Sequence, residues 1–328
     1  MDATLLLAAS LVAVFFSSLM FVNAIEYAGS RLSWSHGFTG AIVAPLFTSI
    51  PELALFVIAV FIHGGTSGHL IGLGMIFGEP FMTSSLSYFL VFCAVVAAFA
   101  LTGRKTHSLE VDRTLSIPFV FVLLLFPFAL LPGIIHSVYL QYLMGFVFLF
   151  FYLFYVRTMA GRRSSVEEEE AEVPYLMRLK DHWGLAALQL LISAILLFYG
   201  ANLMVQSITL ISGIHRVSPL VVAILVIPVA TAIPETLSAM IWAYRGRNSL
   251  AIGSIIGEKV LYATFYPGLA MFFIPWELDA QVYLSVLATT VVSLCFFLFS
   301  RRGRMPFYAL AIGLPFFLAY IVSVIAIL

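Results

Sequence analysis

Residues 227–236 read I-P-V-A-T-A-I-P-E-T, and residues 253–262 read G-S-I-I-G-E-K-V-L-Y. Both stretches lie in apolar sequence long enough to be embedded in a membrane. A charged side chain at that depth costs about 2.5–3.5 kcal/mol or more, so Glu235 and Glu258 mark a functional site. The arrangement occurs once before, as A-P-L-F-T-S-I-P-E-L at 44–53 and G-M-I-F-G-E-P-F-M-T at 74–83. In each copy one proline lies seven residues before the first glutamate and another directly precedes it. The spacing from Pro-Glu to Gly-Glu differs by four residues, which the stretch His63–His69 can absorb.

The composition sets the solvent. Apolar residues make up 62% of the chain and charged residues only 10%, and the mean hydropathy is +1.08. A soluble domain carries about 25% charge, so this is a polytopic membrane protein. A net charge of zero argues against nucleic acid or an acidic protein as partner. Cys93 and Cys295 each lie alone in an apolar run and read as lipid- or core-facing residues, not as a disulfide or a metal pair. The first apolar run follows Met1-Asp2 with no basic segment and reads as a retained helix.

Runs of about 20 apolar residues span a bilayer. Ten are expected, at 3–26, 37–62, 69–101, 115–134, 137–157, 184–211, 217–243, 250–275, 280–300 and 306–327. The stretch between the fifth and sixth, with Arg162-Arg163 and the acidic run Glu167–Glu170, reads as a solvated linker. The fold class is therefore all-α: a first five-helix repeat over 1–159, a linker over 160–183, and a second repeat over 184–328. Helices 2 and 7 are expected to be broken by proline.

Basic residues orient the chain. Loops after odd-numbered spans hold Arg31, Arg104, Lys105, Arg113, Arg157, Arg162, Arg163, Arg178, Lys180, Arg245, Arg247, Arg301, Arg302 and Arg304, fourteen of the sixteen Lys and Arg. The exceptions are Arg216 and the intramembrane Lys259. By the positive-inside rule the linker is cytoplasmic and both termini face outward, in a plasma (cytoplasmic) membrane. Five spans per repeat is an odd number, so the second repeat enters the membrane inverted. Inverted repeats with interrupted helices are the layout of secondary transporters.

The prolines bear on chemistry. A proline inside a helix frees the carbonyl four residues earlier, so Pro51 should bare the carbonyl of Phe47 and Pro234 that of Ala230. The hydroxyls of Thr48, Ser49 and Thr231 lie beside them. Carbonyls, hydroxyls and carboxylates are hard oxygen ligands suited to Ca²⁺ or Na⁺.

At these residues the sequence resembles the calcium/cation antiporter superfamily, of the sodium/calcium exchanger type. Its members carry a G-T-S-x-P-E block and then a G-N-x-x-G-S-N-x-x-N block in each of two inverted repeats. Phe47-Thr48-Ser49-Ile50-Pro51-Glu52 and Ala230-Thr231-Ala232-Ile233-Pro234-Glu235 match the first block. The run from Tyr199-Gly200-Ala201-Asn202 to Val217-Ser218-Pro219-Leu220 is similar to the family's approach to its second copy. The resemblance implies a ten-helix exchanger with Glu52 and Glu235 as the main calcium ligands and Thr48, Ser49 and Thr231 as hydroxyl ligands. It implies no cofactor; the cargo would be Ca²⁺ with Na⁺ or H⁺. Ala232 stands where the pattern has a second serine.

The second block departs from the pattern. Glu79 and Glu258 stand in place of its serine, Thr83 and Tyr262 in place of its later amide, and Pro80 and Lys259 in place of asparagine. Two like charges 4 Å apart repel by about 4 kcal/mol at an effective dielectric of about 20. Four converging glutamates would need either a divalent ion or protons, which makes Ca²⁺/H⁺ exchange a reading equal to Ca²⁺/Na⁺ exchange. Lys259 is either a tethered cation that tunes the charge of the site, or a structural partner or snorkelling side chain. A monovalent cation/proton exchanger is the alternative within transport, and an intramembrane enzyme using paired carboxylates the alternative outside it. Glu26 is expected as a cap or interfacial residue, His63 and His69 as loop residues, and Asn202 as a helix-to-helix hydrogen-bonding group.

Overall fold

The computed structural model of the protein describes residues 2–31, 49–102, 108–160, 173–178 and 183–326. In chain order the helices are α1 (Ala3–Arg31), α2 (Ile50–Val57), α3 (Gly65–Met82), α4 (Tyr88–Thr102), α5 (Ser116–Leu125), α6 (Leu131–Ile135), α7 (Val138–Ala160), α8 (Trp183–His215), α9 (Pro219–Tyr244), α10 (Asn248–Ala263), α11 (Phe265–Ala270), α12 (Ala280–Arg302) and α13 (Leu314–Ile325). Helix is the form an apolar chain takes in lipid, because it satisfies every backbone group within one segment. Among the described residues, seven helices are long and apolar enough to cross a membrane, and eight if the bent pair Pro219–Ile233 and Glu235–Tyr244 is one span.

The ten expected spans are thus reproduced only in part, and the shortfall has a local cause. Residues 37–48 lie outside the described residues, and Ile50–His63 is a short apolar helix. The span expected at 250–275 is split at Thr264 (φ −136°, ψ −71°) into α10 and α11. The span expected at 69–101 instead runs as Gly65–Thr102, 38 residues and longer than the other candidate spans among the described residues.

The described chain forms two compact units, and neither is a sequence repeat. One comprises residues 1–75 and 158–234, the other 76–157 and 235–328. In the first, α1 packs along α8. Gly200 on α8 allows the close approach: a Cβ there would lie 3.1 Å from Val14 Cγ2 and 3.3 Å from Val14 N. Small residues at contact points are how membrane helices pack without a hydrophobic drive between them.

Part of the linker belongs to this unit. A 3₁₀ turn at Tyr175–Arg178 is held by Asn23 Oδ1, which accepts from Tyr175 N (3.1 Å), and by Gln189 Oε1, which accepts from Leu176 N (2.9 Å). Gln189 Nε2 donates in turn to Met20 O and Asn23 Oδ1. The expectation of a solvated linker is corrected for this turn, where Met177 is buried. Glu26's side chain and the acidic run Glu167–Glu170 lie outside what is described.

In the second unit α12 packs against α5 and the turn Thr83–Ser87. Its Ser285 Oγ donates to Phe77 O at 2.6 Å. Trp276 Nε1 donates to Ala129 O (2.7 Å), and Gln141 Nε2 reaches the carbonyls of Met271 and Ile274. The Gln141 bonds satisfy carbonyls just past the end of α11. An antiparallel ribbon pairs Ser108 with Pro306, Leu109 with Met305 and Glu110 with Arg304. This β1–β2 pair was not expected from an all-α reading, since three residues are too few to show a strand period.

Gly313 precedes α13 and lies against the turn at Ser84–Ser85: a Cβ there would collide with the Ser84 carbonyl oxygen and come 2.7 Å from the Ser85 Cα. Gly313→Ala is expected to destabilise the protein by about 1–3 kcal/mol, lowering its thermal midpoint in detergent. Gly213→Ala, with nothing within 4 Å, is expected to leave that midpoint unchanged or slightly raised.

Candidate cation site

The first unit places Glu52 at the start of a helix. Ser49 precedes α2, Leu53 N donates to Ser49 O (3.0 Å), and Pro51 occupies the first turn. Proline is tolerated there because a first-turn N–H has no helical partner. Pro51 therefore lies in the first turn of α2; the residues on the other side of the expected break, 37–48, lie outside the described residues. Phe47 and Thr48 lie outside the described residues. Glu52 is 2% exposed and Ser49 fully buried, and the positive end of a helix favours a carboxylate. α2 widens into a π-helical turn at Ile58–His63, which Gly64 and Gly65 end at φ near +60°.

Pro234 behaves as expected. It lies within α9 and brings no N–H to the carbonyl of Ala230. Thr231 is buried and its Oγ1 donates to Ile227 O at 3.2 Å. Glu235 follows, and its Oε1 is buried with no hydrogen-bond partner among the described residues.

The second unit holds Glu79, Glu235 and Glu258. Glu79 and Glu258 are each 2% exposed. Pro80 sits inside α3, so the carbonyl of Ile76 loses its helical donor. Thr83 Oγ1 donates back to the carbonyls of Glu79 (2.9 Å) and Pro80 (3.2 Å). The chain then opens into a π turn, Thr83–Ser87, in which Thr83, Ser84, Ser85 and Ser87 are all buried. Such turns are uncommon and often accompany functional sites. Here the missing donor at Pro80 supplies a physical cause.

Lys259 is fully buried. Its Nζ donates to Ser84 Oγ at 2.8 Å and sits 4.7 Å from the centre of the Tyr88 ring. Glu79 acts on it electrostatically. The lysine from the second copy of the block thus meets the serine and the tyrosine that follow the first. Snorkelling is overturned: the ammonium stays inside the protein. Behind it, the Tyr88 ring packs 4.4 Å from that of Phe296. Thr236, next to Glu235, donates from Oγ1 to Ser87 Oγ at 2.8 Å, so the same π turn also fixes the residue beside the third glutamate. Tyr262 stacks obliquely on Tyr266, centroids 4.6 Å apart.

Sequence reading missed Ser84, Ser87 and Tyr88, and also Thr289 and Ser293 on α12. The last two are fully buried, with hydroxyls lacking a hydrogen-bond partner among the described residues. Their spacing of four along one apolar helix was the available signal. His63 and Asn202, both of the first unit, pair at 3.1 Å (His63 Nε2 to Asn202 Oδ1), as an interhelical bond. Among the described residues no three of His, Cys, Asp and Glu gather as a metal-holding group; the second unit adds buried hydroxyls to its glutamates.

Comparison with known proteins agrees with this architecture. A family model described as "Sodium/calcium exchanger protein" matches residues 3–160 and 185–328. The inner membrane protein YrbG of Escherichia coli (strain K12) is 28% identical over 123 residues, 38% of this chain and 37% of that protein. The match therefore spans little more than a third of that relative's length. The fold is similar to that of the H⁺/Ca²⁺ exchanger CAX, with a TM-score of 0.74 and 19% identity over 99% of this chain and 82% of that one. YfkE follows with a TM-score of 0.69 and 14% identity, covering 97% and 91%. The sodium–calcium exchanger NCX_Mj gives a TM-score of 0.58 and 20% identity, covering 98% of both chains.

The Ser87–Thr236 bond gives a measurable expectation. Thr236→Val leaves a buried hydroxyl without its donor and should cost about 1–3 kcal/mol, read as a lowered thermal midpoint. Ser87→Ala combined with Thr236→Val should recover part of that loss, giving a non-additive cycle. Additive losses would show that the two hydroxyls do not depend on each other.

Proposed function

The chain belongs to the sodium/calcium exchanger protein family, and on that premise we propose that it exchanges Ca²⁺ for H⁺ across the membrane by alternating access. It is an integral membrane antiporter and not an enzyme. The observation that carries the choice of proton is the pair Glu79 and Glu258, buried carboxylates in the positions where the family pattern has a hydroxyl. A hydroxyl can ligate a cation but cannot take up a proton at ordinary pH. A carboxylate in apolar surroundings can do either, and the two loads exclude one another.

In this reading Glu52 and Glu235 are the principal calcium ligands. Ser49, Thr48, Thr231 and Thr83, with the carbonyls of Phe47 and Ala230, complete an oxygen donor set of the kind calcium takes. The carrier is built of two inverted five-helix repeats, 1–159 and 184–328. The linker 160–183 is cytoplasmic and the termini lie outside, in a plasma (cytoplasmic) membrane; the basic residues of the alternate loops support this orientation. Exchange of a monovalent cation for protons is the second reading. Lys259 favours it, because a resident positive charge lowers the demand for a divalent one.

The test is radioactive calcium uptake into proteoliposomes under a pH gradient, a sodium gradient, or both. An outward proton-loaded interior should drive uptake without sodium, and apparent calcium affinity should fall as external pH is lowered, because protons compete for the same oxygens. Calcium flux that follows sodium and ignores pH would replace the proton with sodium. Glu235→Gln should weaken apparent calcium affinity by roughly tenfold to a hundredfold, as loss of a charged ligand does; an unchanged affinity would remove Glu235 from the site.

A further inference from the structure

The second unit contains an ammonium group where a mobile cation would otherwise be expected. Lys259 has no water-exposed surface, and an unpaired charge at such depth is too costly to persist. It is not unpaired. Ser84 Oγ accepts one of its N–H groups at 2.8 Å. The negative face of the Tyr88 ring lies 4.7 Å away, within the range of a cation–π contact. Glu79 supplies the opposite charge.

A hydroxyl oxygen, an aromatic face and a carboxylate form the kind of surroundings that a dehydrated monovalent cation takes. The lysine head is itself a compact point charge, delivered here on a four-carbon stem. The receiving side is built to meet it. Pro80 opens the helix into the π turn, the π turn carries Ser84 inward, and Gly313 lets the chain before α13 close against that turn. A lysine serving only to neutralise Glu79 would not require the serine to be presented in this way.

We infer that the Lys259 ammonium is a built-in monovalent cation: it fills, from its own side chain, a cation position formed by Ser84 and Tyr88 and drawn by the charge of Glu79. The transport cycle thereby dispenses with one mobile monovalent cation. Selectivity follows, since a position already filled cannot be claimed by sodium or potassium. The geometric part stands by itself; the consequence for transport rests on the antiport reading above.

The experiment uses the purified full-length protein and Lys259→Met, which keeps the length of the stem and removes the charge. Thermal midpoints are measured in LiCl, NaCl, KCl and choline chloride at equal ionic strength, and calcium flux in proteoliposomes under the same salts. The wild type is expected to be indifferent to the choice of cation. The variant should be stabilised by at least one small cation relative to choline, and its flux should rise about tenfold when that cation largely fills the vacated position. Glu79→Gln combined with Lys259→Met should lose this response, because the attracting carboxylate is gone.

A folded, cation-indifferent Lys259→Met protein overturns the inference and leaves Lys259 as a structural partner of Glu79. If the variant is recovered folded only in a small-cation salt, the inference holds. If no salt rescues its folding, it fails, since a position shaped for a cation would accept one. Absence of calcium flux in the wild type under every gradient would instead sink the antiport reading, and the thermal response of the variant would still be readable.

Discussion

An ionised group far from water must be answered by other groups at the same depth, and the second unit is organised around that requirement. Lys259 and Glu79 are buried together, with Ser84 and Tyr88 completing the surroundings of the ammonium. Removing one charge while leaving the other costs far more than the pair contributes, because the survivor is left unsolvated. The residues around the pair are therefore constrained more tightly than ordinary core. Tyr88 is fixed by Phe296, and the π turn by Gly313, where no larger residue fits.

Backbone chemistry supplies the remaining oxygens. Three prolines stand beside a glutamate, in two distinct helical positions. Pro51 lies in the first turn of α2 and merely starts it; Pro80 and Pro234 lie inside helices and remove a donor. Within the described residues, Pro80 leaves the carbonyl of Ile76 and Pro234 that of Ala230 without a helical donor. Thr83 answers part of the disruption after Pro80 by donating to Glu79 O and Pro80 O, and the π turn takes up the rest. The same sequence word, proline beside glutamate, thus has different structural meanings depending on whether a helix is already under way.

Much of the architecture was legible in the sequence because its signals are long or repeated. A run of twenty apolar residues declares a span, and the duplicated Pro-Glu and Gly-Glu blocks declare buried acids; Glu52, Glu79 and Glu258 are each 2% exposed. Features that depend on one or two residues were not legible. Nothing in Ser84, Ser87 or Tyr88 distinguishes them from other polar and aromatic residues of an apolar helix until Pro80 widens the turn. The break at Thr264 was hidden because its neighbours are apolar, as a spanning helix would be. Asn23 and Gln189 gave no sign that they would grip the linker turn, since their acceptors face backbone groups far away in sequence.

The repeats seen in sequence and the units seen in space divide the chain differently, and two of the unit boundaries fall within the duplicated blocks. Of the three boundaries where the chain passes between units, at 75/76, 157/158 and 234/235, the first lies inside the G-M-I-F-G-E stretch of the first copy and the last between proline and glutamate in the second. A helix with its hydrogen bonds complete is a poor place for such a passage, since bending it breaks bonds that lipid cannot replace. A helix that already lacks a donor has less to lose. Pro234 is bent at that position and withholds the N–H that would have tied down Ala230. The proline that withholds a donor from Ala230 is therefore also the residue at which α9 bends most cheaply.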